Sequence, residues 1–233
     1  MHTFSIPADV EARVEARAGR RHPFDSLDAH RTALLVIDLQ NYFMKPGAQS
    51  ETPSARAIVP TVNNLAAGLR SRGGHVVWIR NGTAGTREDW SVFHEYLMTP
   101  QRQQRRYQEM DIDGDGFQFW HVLDIRPGDG QIEKKRFSAF IQGSSPILDY
   151  LHGRNIDTVL ITGTATNVCC ESTARDAMML NFKTVMVSDA LAARSDEIHA
   201  ASLIAFYSNF GDVQTMTEVL ASLDRGTQTR MAG

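Results

Sequence analysis

Residues 32–39, Thr32-Ala33-Leu34-Leu35-Val36-Ile37-Asp38-Leu39, decide how the rest of the chain is read. The apolar run is unbroken, short, and rich in branched side chains. A strand with one wet face alternates apolar with polar residues, whereas a strand covered on both faces stays apolar throughout. Both faces are covered when helical crossovers join parallel strands, so this stretch predicts an α/β domain with a mainly parallel sheet. The run ends on an acid. Ligands in such sheets gather beyond the carboxyl ends of the strands, which makes Asp38 a candidate functional residue.

Outward from that strand the pattern repeats. Ser54 opens a helix carrying Ile58, Val62, Leu65 and Leu69 at helical spacing, and Gly73-Gly74 closes it. HVVWIR (75–80) is a second buried strand. A short strand around Ile132 precedes Lys134, and a helix follows over 145–154. TVLITG (158–163) and KTVMVSDA (183–190) are strands flanking a helix over 167–180. A helix over 196–208, an edge strand at 212–214 and a last helix over 217–223 complete the order. Six strands alternating with helices predict a three-layer α/β/α fold with a doubly wound, Rossmann-like sheet.

Residues 81–130 are the least regular part and hold most of the large aromatics. Long aromatic-bearing insertions are more often functional loops than linkers. Trp90, Phe93, Tyr96, Phe117, Phe119 and Trp120 are expected to cover the site mouth or meet a second subunit, a local minicore being the alternative. Residues 1–30, around a short helix at 7–18, read as an arm packed on a partner. Residues 31–233 read as one domain.

The chain has 233 residues, 42% hydrophobic and 22% charged, enough for one sizeable core. Its net charge of -3 is spread over interspersed acids and bases, which argues against a nucleic-acid or membrane surface. No apolar run has transmembrane length, and no signal-peptide core is present. The two cysteines, Cys169 and Cys170, are adjacent and cannot staple distant segments, so a cytoplasmic location is expected.

Three reactive residues stand where strands end. Asp38 follows the first, Lys134 the third, and Cys169 the fourth, in the first turn of a helix whose dipole would favour a thiolate. A carboxylate can take a thiol proton, and an ammonium can hold that carboxylate in place. Each residue alone has a plainer explanation. A buried cysteine is usually a small apolar side chain, an Asp at a strand end is often a cap, and Lys134 lies in a Lys-Lys-Arg run that would suit a solvated face.

The combination is more specific. VIDLQNYF (36–43), EKKRFSAF (133–140) and TGTATNVCCESTARDA (162–177) resemble, in order and spacing, the three segments of the isochorismatase-like cysteine hydrolases. The resemblance covers about 32–223. It implies Asp38 as base, Lys134 as supporting cation and Cys169 as nucleophile, with Cys170 in the core. It also implies a cis peptide between Thr164 and Ala165, and an oxyanion hole formed by the N–H groups of Ala165 and Cys169. The presence of the cysteine favours an amidohydrolase that releases ammonia through a thioester. A vinyl-ether hydrolase of the isochorismate type and a non-catalytic interaction domain are the alternatives.

The DLQNYF and RNG segments look most like the ureidoacrylate, biuret, triuret and carbamoyl-sarcosine branch. A small ureido, carbamoyl or carboxamide substrate is expected. Gln40 and Asn81 are candidates to bind it by hydrogen bonds, with Phe137 and Ser138 beside them. Arginines 102, 105 and 106 either recognise a carboxylate or are simply solvated. No cofactor is expected. Nicotinamidase-like members carry an Asp-x-His zinc pair after the second strand, where this chain has NGTAGTREDW. The DIDGDG stretch at 111–116 starts like a calcium loop but has Val122 at the twelfth position, and reads as an acidic turn. The family resemblance implies a homodimer or homotetramer.

Overall fold

The computed structural model describes residues 2–232. Its elements run α1 (Ala8–Ala18), β1 (Thr32–Ile37), α2 (Asn41–Met44), α3 (Ala55–Arg70), β2 (His75–Asn81), α4 (Thr86–Asp89), α5 (Ser91–Tyr96), α6 (Pro100–Glu109), β3 (Gly130–Lys134), α7 (Ile147–His152), β4 (Thr158–Thr164), α8 (Glu171–Met179), β5 (Lys183–Ala192), α9 (Asp196–Asn209), β6 (Asp212–Gln214) and α10 (Met216–Ala232). The six strands form one sheet in the order β3-β2-β1-β4-β5-β6. Every pairing in it is parallel. This is the doubly wound order, and its switch point lies between β1 and β4.

The unbroken apolar run of β1 has the cause the sequence suggested. All six of its residues are buried, and successive side chains serve opposite faces. Ala33, Leu35 and Ile37 join a core shared with α1, α7, α8 and α9. Leu34 and Val36 join a second core built with α3 and α10. The stripe Ile58, Val62, Leu65 and Leu69 is the buried face of α3, and Gly73, at φ +81°, turns the chain out of it. At the switch point Gly163 has φ +112°, and a Cβ there would lie 2.0 Å from the Ile37 carbonyl oxygen. Only glycine lets the ends of β1 and β4 approach this closely.

Two expectations change. The first thirty residues do not project as an arm. Val10 and Val14 are buried in the chain's own core, α1 packs on α9, and His2 Nδ1 meets Asp196 at 2.7 Å. Residues 81–130 are more regular than their sequence looked, with three helices between 86 and 109. The start of α6 has a local cause. The Thr99 hydroxyl accepts from the Arg102 N–H at 3.3 Å, and Pro100 occupies the first turn, where its missing N–H costs nothing.

Candidate active site

Asp38 sits just past β1 with φ +56°, a left-handed conformation that a non-glycine residue holds only when its surroundings demand it. Its N–H donates to the Ile79 carbonyl at 2.9 Å, which extends the β1–β2 pairing by one residue and aims the side chain over the sheet edge. Lys134 is the last residue of β3, two strands away, a distance of roughly 10 Å at normal strand spacing. A lysine is long enough to bridge most of that gap. Lys134 Nζ lies 2.9 Å from Asp38 Oδ2 and donates to the Arg136 carbonyl at 3.0 Å, and both side chains are fully buried. Among the described residues no donor is aligned for a hydrogen bond on either Asp38 oxygen, so the carboxylate is held by charge.

Cys169 lies in a wide π-type turn, Thr166–Cys170, that precedes α8. Such turns widen a helix locally and often present a functional side chain. The Cys170 N–H reaches back to the Ala165 carbonyl at 3.2 Å, and the Thr164–Ala165 peptide is cis, as the resemblance implied. The Cys169 thiol is near enough to Asp38 and Lys134 for both charges to act on it. The Thr173 hydroxyl donates to the Cys169 carbonyl at 2.7 Å and accepts from the Ala139 N–H at 3.2 Å, tying this turn to the loop after Lys134. Cys170 is fully buried, as expected of a core residue.

The electrostatics depart from expectation in one respect. Burial first, and the Asp38 charge second, push the Cys169 thiol up to about 12, against the opposing pull of Lys134. The dipole argument for a resting thiolate therefore fails: the thiol is protonated at neutral pH. Only 5% of its surface is exposed, which shelters the sulfur as well. Burial also pulls Lys134 toward its neutral form, but Asp38 and then Cys169 outweigh it, and its pKa stands above the ordinary lysine value. The lysine is a cation and the base faces a thiol that still carries its proton.

A cavity of about 360 Å³ opens above these groups. Ala165, Cys169, Asn81 and Phe137 line it. Gln40 and Ser138, expected beside the substrate, are not among its lining residues. Gln40 Nε2 donates to the carbonyls of Asn81 and Phe117, both at 3.1 Å, while its Oε1 accepts from the Asn81 N–H at 2.7 Å. Its amide closes the sheet edge onto the following loop. The Ser138 hydroxyl accepts from the Phe140 N–H at 3.1 Å and shapes a turn. Asn81 faces the cavity, but its amide is engaged, donating to the Arg136 carbonyl and accepting from Arg106.

Arg106 is 6% exposed, buried rather than solvated. Its guanidinium lies over the rings of Tyr42 and Phe93. Arg102, one turn earlier on α6, and Arg194 also line the cavity. The four-residue spacing of Arg102 and Arg106 on a helix that Thr99-Pro100 announces was the available signal. Of the aromatics in 81–130, Phe93 lines the cavity beside Phe137, and Trp90 stacks on Phe93 at 4.3 Å. Phe119 and Trp120 pack instead on the second core, and Tyr96 is 77% exposed. The ring set is thus divided among a cavity wall, the core and, for Tyr96, the surface.

Residues 32–218 match the family model described as the isochorismatase domain. The chain belongs to the isochorismatase family. Solved structures agree. A cysteine hydrolase from Pseudomonas syringae pv. phaseolicola is 26% identical, with a TM-score of 0.77 over 86% of this chain and 95% of that one. An isochorismatase-like hydrolase from Alkaliphilus metalliredigens is 28% identical, with a TM-score of 0.69 over 82% of this chain and 97% of that one. N-carbamoylsarcosine amidase from Thermoplasma acidophilum is 25% identical, with a TM-score of 0.63 over 80% and 96%. The likeness in sequence and fold is thus to isochorismatase-family hydrolases, amidases among them. Among the described residues no helix is long and apolar enough to cross a membrane, and no group of three or more His, Cys, Asp or Glu is placed to hold a metal ion.

Proposed function

We propose that this isochorismatase-family chain is a cysteine-dependent amidohydrolase that releases ammonia from a small ureido, carbamoyl or carboxamide compound. The observation that carries the reading is the buried convergence of Asp38, Lys134 and Cys169 beneath a cavity that reaches the thiol. The protonated thiol requires a base, and Asp38 is the carboxylate beside it. Asp38 takes the proton as Sγ attacks the carbonyl carbon. The electron pair displaced onto the carbonyl oxygen is received by the N–H groups of Ala165 and Cys169. Asp38 returns the proton to the leaving nitrogen, the C–N bond breaks, and ammonia departs from a thioester. Water, deprotonated by Asp38, then cleaves the thioester and restores the thiol. Lys134 holds the base in place and offsets negative charge as it develops.

The amidase among its structural relatives supports this reading, as does the presence of the nucleophile. The test is an ammonia-release screen of the purified protein over ureido acids, biuret-like compounds and simple amides, with Cys169→Ala as control. Ammonia release that vanishes in the control is the expected result; release by both proteins, or vinyl-ether cleavage by both, would overturn the thioester route. A homodimer or homotetramer belongs to the same proposal. Val92, Tyr96 and Leu97 expose large apolar side chains around α5, and a strict monomer by light scattering at low micromolar concentration would remove that part.

A further inference from the structure

We infer that His199 is a positioning residue for the catalytic turn: it anchors Thr166 from behind and so fixes the spacing of the Ala165 and Cys169 N–H groups, while the N-terminal segment seals it in place. His199 touches no substrate and acts only through the turn. The inference rests on the amidohydrolase reading for what the turn does, and goes beyond it in naming what holds the turn.

Ala165 and Cys169 line the cavity, and their N–H groups must converge on one oxygen. Between them Asn167 is exposed and Val168 half-buried, and both face the cavity. Thr166 is fully buried, so the inward hold between the two donors falls on it. That hold comes from α9. The Thr166 hydroxyl lies 3.0 Å from His199 Nδ1. Ser202, three residues later and so on the same helix face, donates to Glu171 Oε2 at 2.6 Å and lies 3.4 Å from the Thr166 carbonyl. Glu171 is the first residue of α8, just past the turn. One face of α9 therefore grips the turn at its first residue and at the residue that follows its last.

A histidine at this position needs a reason. Residue 199 is fully buried, and an apolar ring would fill the space without burying polar nitrogens. Burial first, and His2 second, bring the His199 pKa down to about 4, so the imidazole is neutral and acts through a directed hydrogen bond rather than a charge. The start of the chain closes over it. The His2 ring stacks on His199 at 4.5 Å, and Phe4 meets it edge-on at 5.8 Å. His2 is itself fixed at both nitrogens. Its Nδ1 lies 2.7 Å from Asp196 Oδ1, and its Nε2 accepts from the Ala193 N–H at 2.9 Å. Those partners stand at the end of β5 and the start of α9. A hydrogen bond kept from water in this way cannot be exchanged for one to solvent, which makes losing it costly to the geometry it holds. The contacts run unbroken from His2 through His199 and Thr166 to the turn that carries Cys169.

The experiment compares His199→Phe, which keeps a ring without nitrogens, with His199→Asn, whose amide can stand in for Nδ1, and with Thr166→Val, which keeps the shape of threonine without its hydroxyl. Three quantities are read: turnover of an amide found in the ammonia screen, alkylation of Cys169 by iodoacetamide at pH 9, and amide hydrogen exchange over 165–170. His199→Phe and Thr166→Val are expected to lower kcat about 30- to 100-fold with KM within about threefold, because a misplacement of about 1 Å costs about 100-fold. Alkylation, which uses the thiol but no oxyanion hole, should stay within about threefold of the unsubstituted protein. Exchange over 165–170 should quicken at least about tenfold while β1 keeps its protection. His199→Asn should recover at least about tenfold of the lost kcat, and the double variant His199→Phe/Thr166→Val should match the slower single within about twofold, since both break one contact. His2→Ala should lower kcat about three- to tenfold, and an unchanged value overturns the role of the N-terminal segment. Should His199→Phe fail to fold, Thr166→Val tests the same contact from its other side. Unchanged kcat and exchange, alkylation that falls in step with kcat, or single losses that multiply in the double variant overturn the inference. Faster exchange over 165–170 with no ammonia release by the unsubstituted protein overturns the amidase reading and leaves the anchor standing.

Discussion

Replacing Lys134 by Met tests whether the Asp38–Lys134 pair is as isolated from water as the structure shows it. Both side chains are fully buried at 2.9 Å, and among the described residues no donor is aligned on Asp38 to compensate for losing the ammonium. Removing one partner of a buried pair costs about 3–5 kcal/mol, because the other charge is left uncompensated. The Arg136 carbonyl also loses its donor, adding about 1 kcal/mol. The sum, about 4–6 kcal/mol, corresponds to a fall in thermal midpoint of about 8–24 °C for a chain of this size. Circular dichroism melts at pH 7.5 measure it. Lys134→Met combined with Asp38→Asn should recover at least half of the loss, since the stranded charge is gone and asparagine tolerates the left-handed backbone at position 38. A single variant within about 1 kcal/mol of the unsubstituted protein, or a double variant no better than the single, refutes the reasoning.

Three further outcomes are expected. Stability should fall on the alkaline side. The raised Cys169 pKa means that the folded chain binds more protons than the unfolded one between about 9 and 12, and the Lys134 contribution, complete below 10.5, is lost as pH rises through its raised value; denaturant melts from pH 8 to 11 that show no decline would contradict both shifts. Cys169→Ser should abolish ammonia release with a nearly unchanged melt, whereas Cys170→Ala should keep most activity and cost about 1 kcal/mol from a small cavity; an inactive Cys170→Ala reverses the assignment. Iodoacetamide should label Cys169 at a rate that keeps rising with pH beyond 9, and a plateau below pH 8 would reveal the thiolate that burial argues against.

The sheet was legible because its central strands are apolar on both faces, a pattern that follows from burial alone. The positions of Asp38, Lys134 and Cys169 at the carboxyl edge followed from strand ends. The pocket wall was harder to see. Arg106 sits among Gln and Arg residues that look solvated, and its burial comes from Tyr42 and Phe93, distant in sequence. Gln40 and Asn81 had the right chemistry for a substrate amide, yet Gln40 ties the Asn81 backbone and Asn81 accepts from Arg106, a pairing across two strand ends that no local pattern encodes. The thiol was misjudged because a helix terminus acts within a turn and is visible in sequence, whereas desolvation by the whole fold is not. The helix at 7–18 was readable, but its docking surface on α9 was not.

That docking surface has a consequence for how the molecule is made. His2 meets a residue 194 positions later, and Val10 and Val14 find their core partners on α9. A ribosome adding about 5–20 residues per second needs about 10–40 s to deliver that helix after the first segment emerges. Throughout that interval β1 and β2 can already pair, while α1 lacks the helix it packs on. This segment is therefore fastened long after the strands beside it have emerged, and until α9 follows it is a part of the nascent chain that a chaperone would cover.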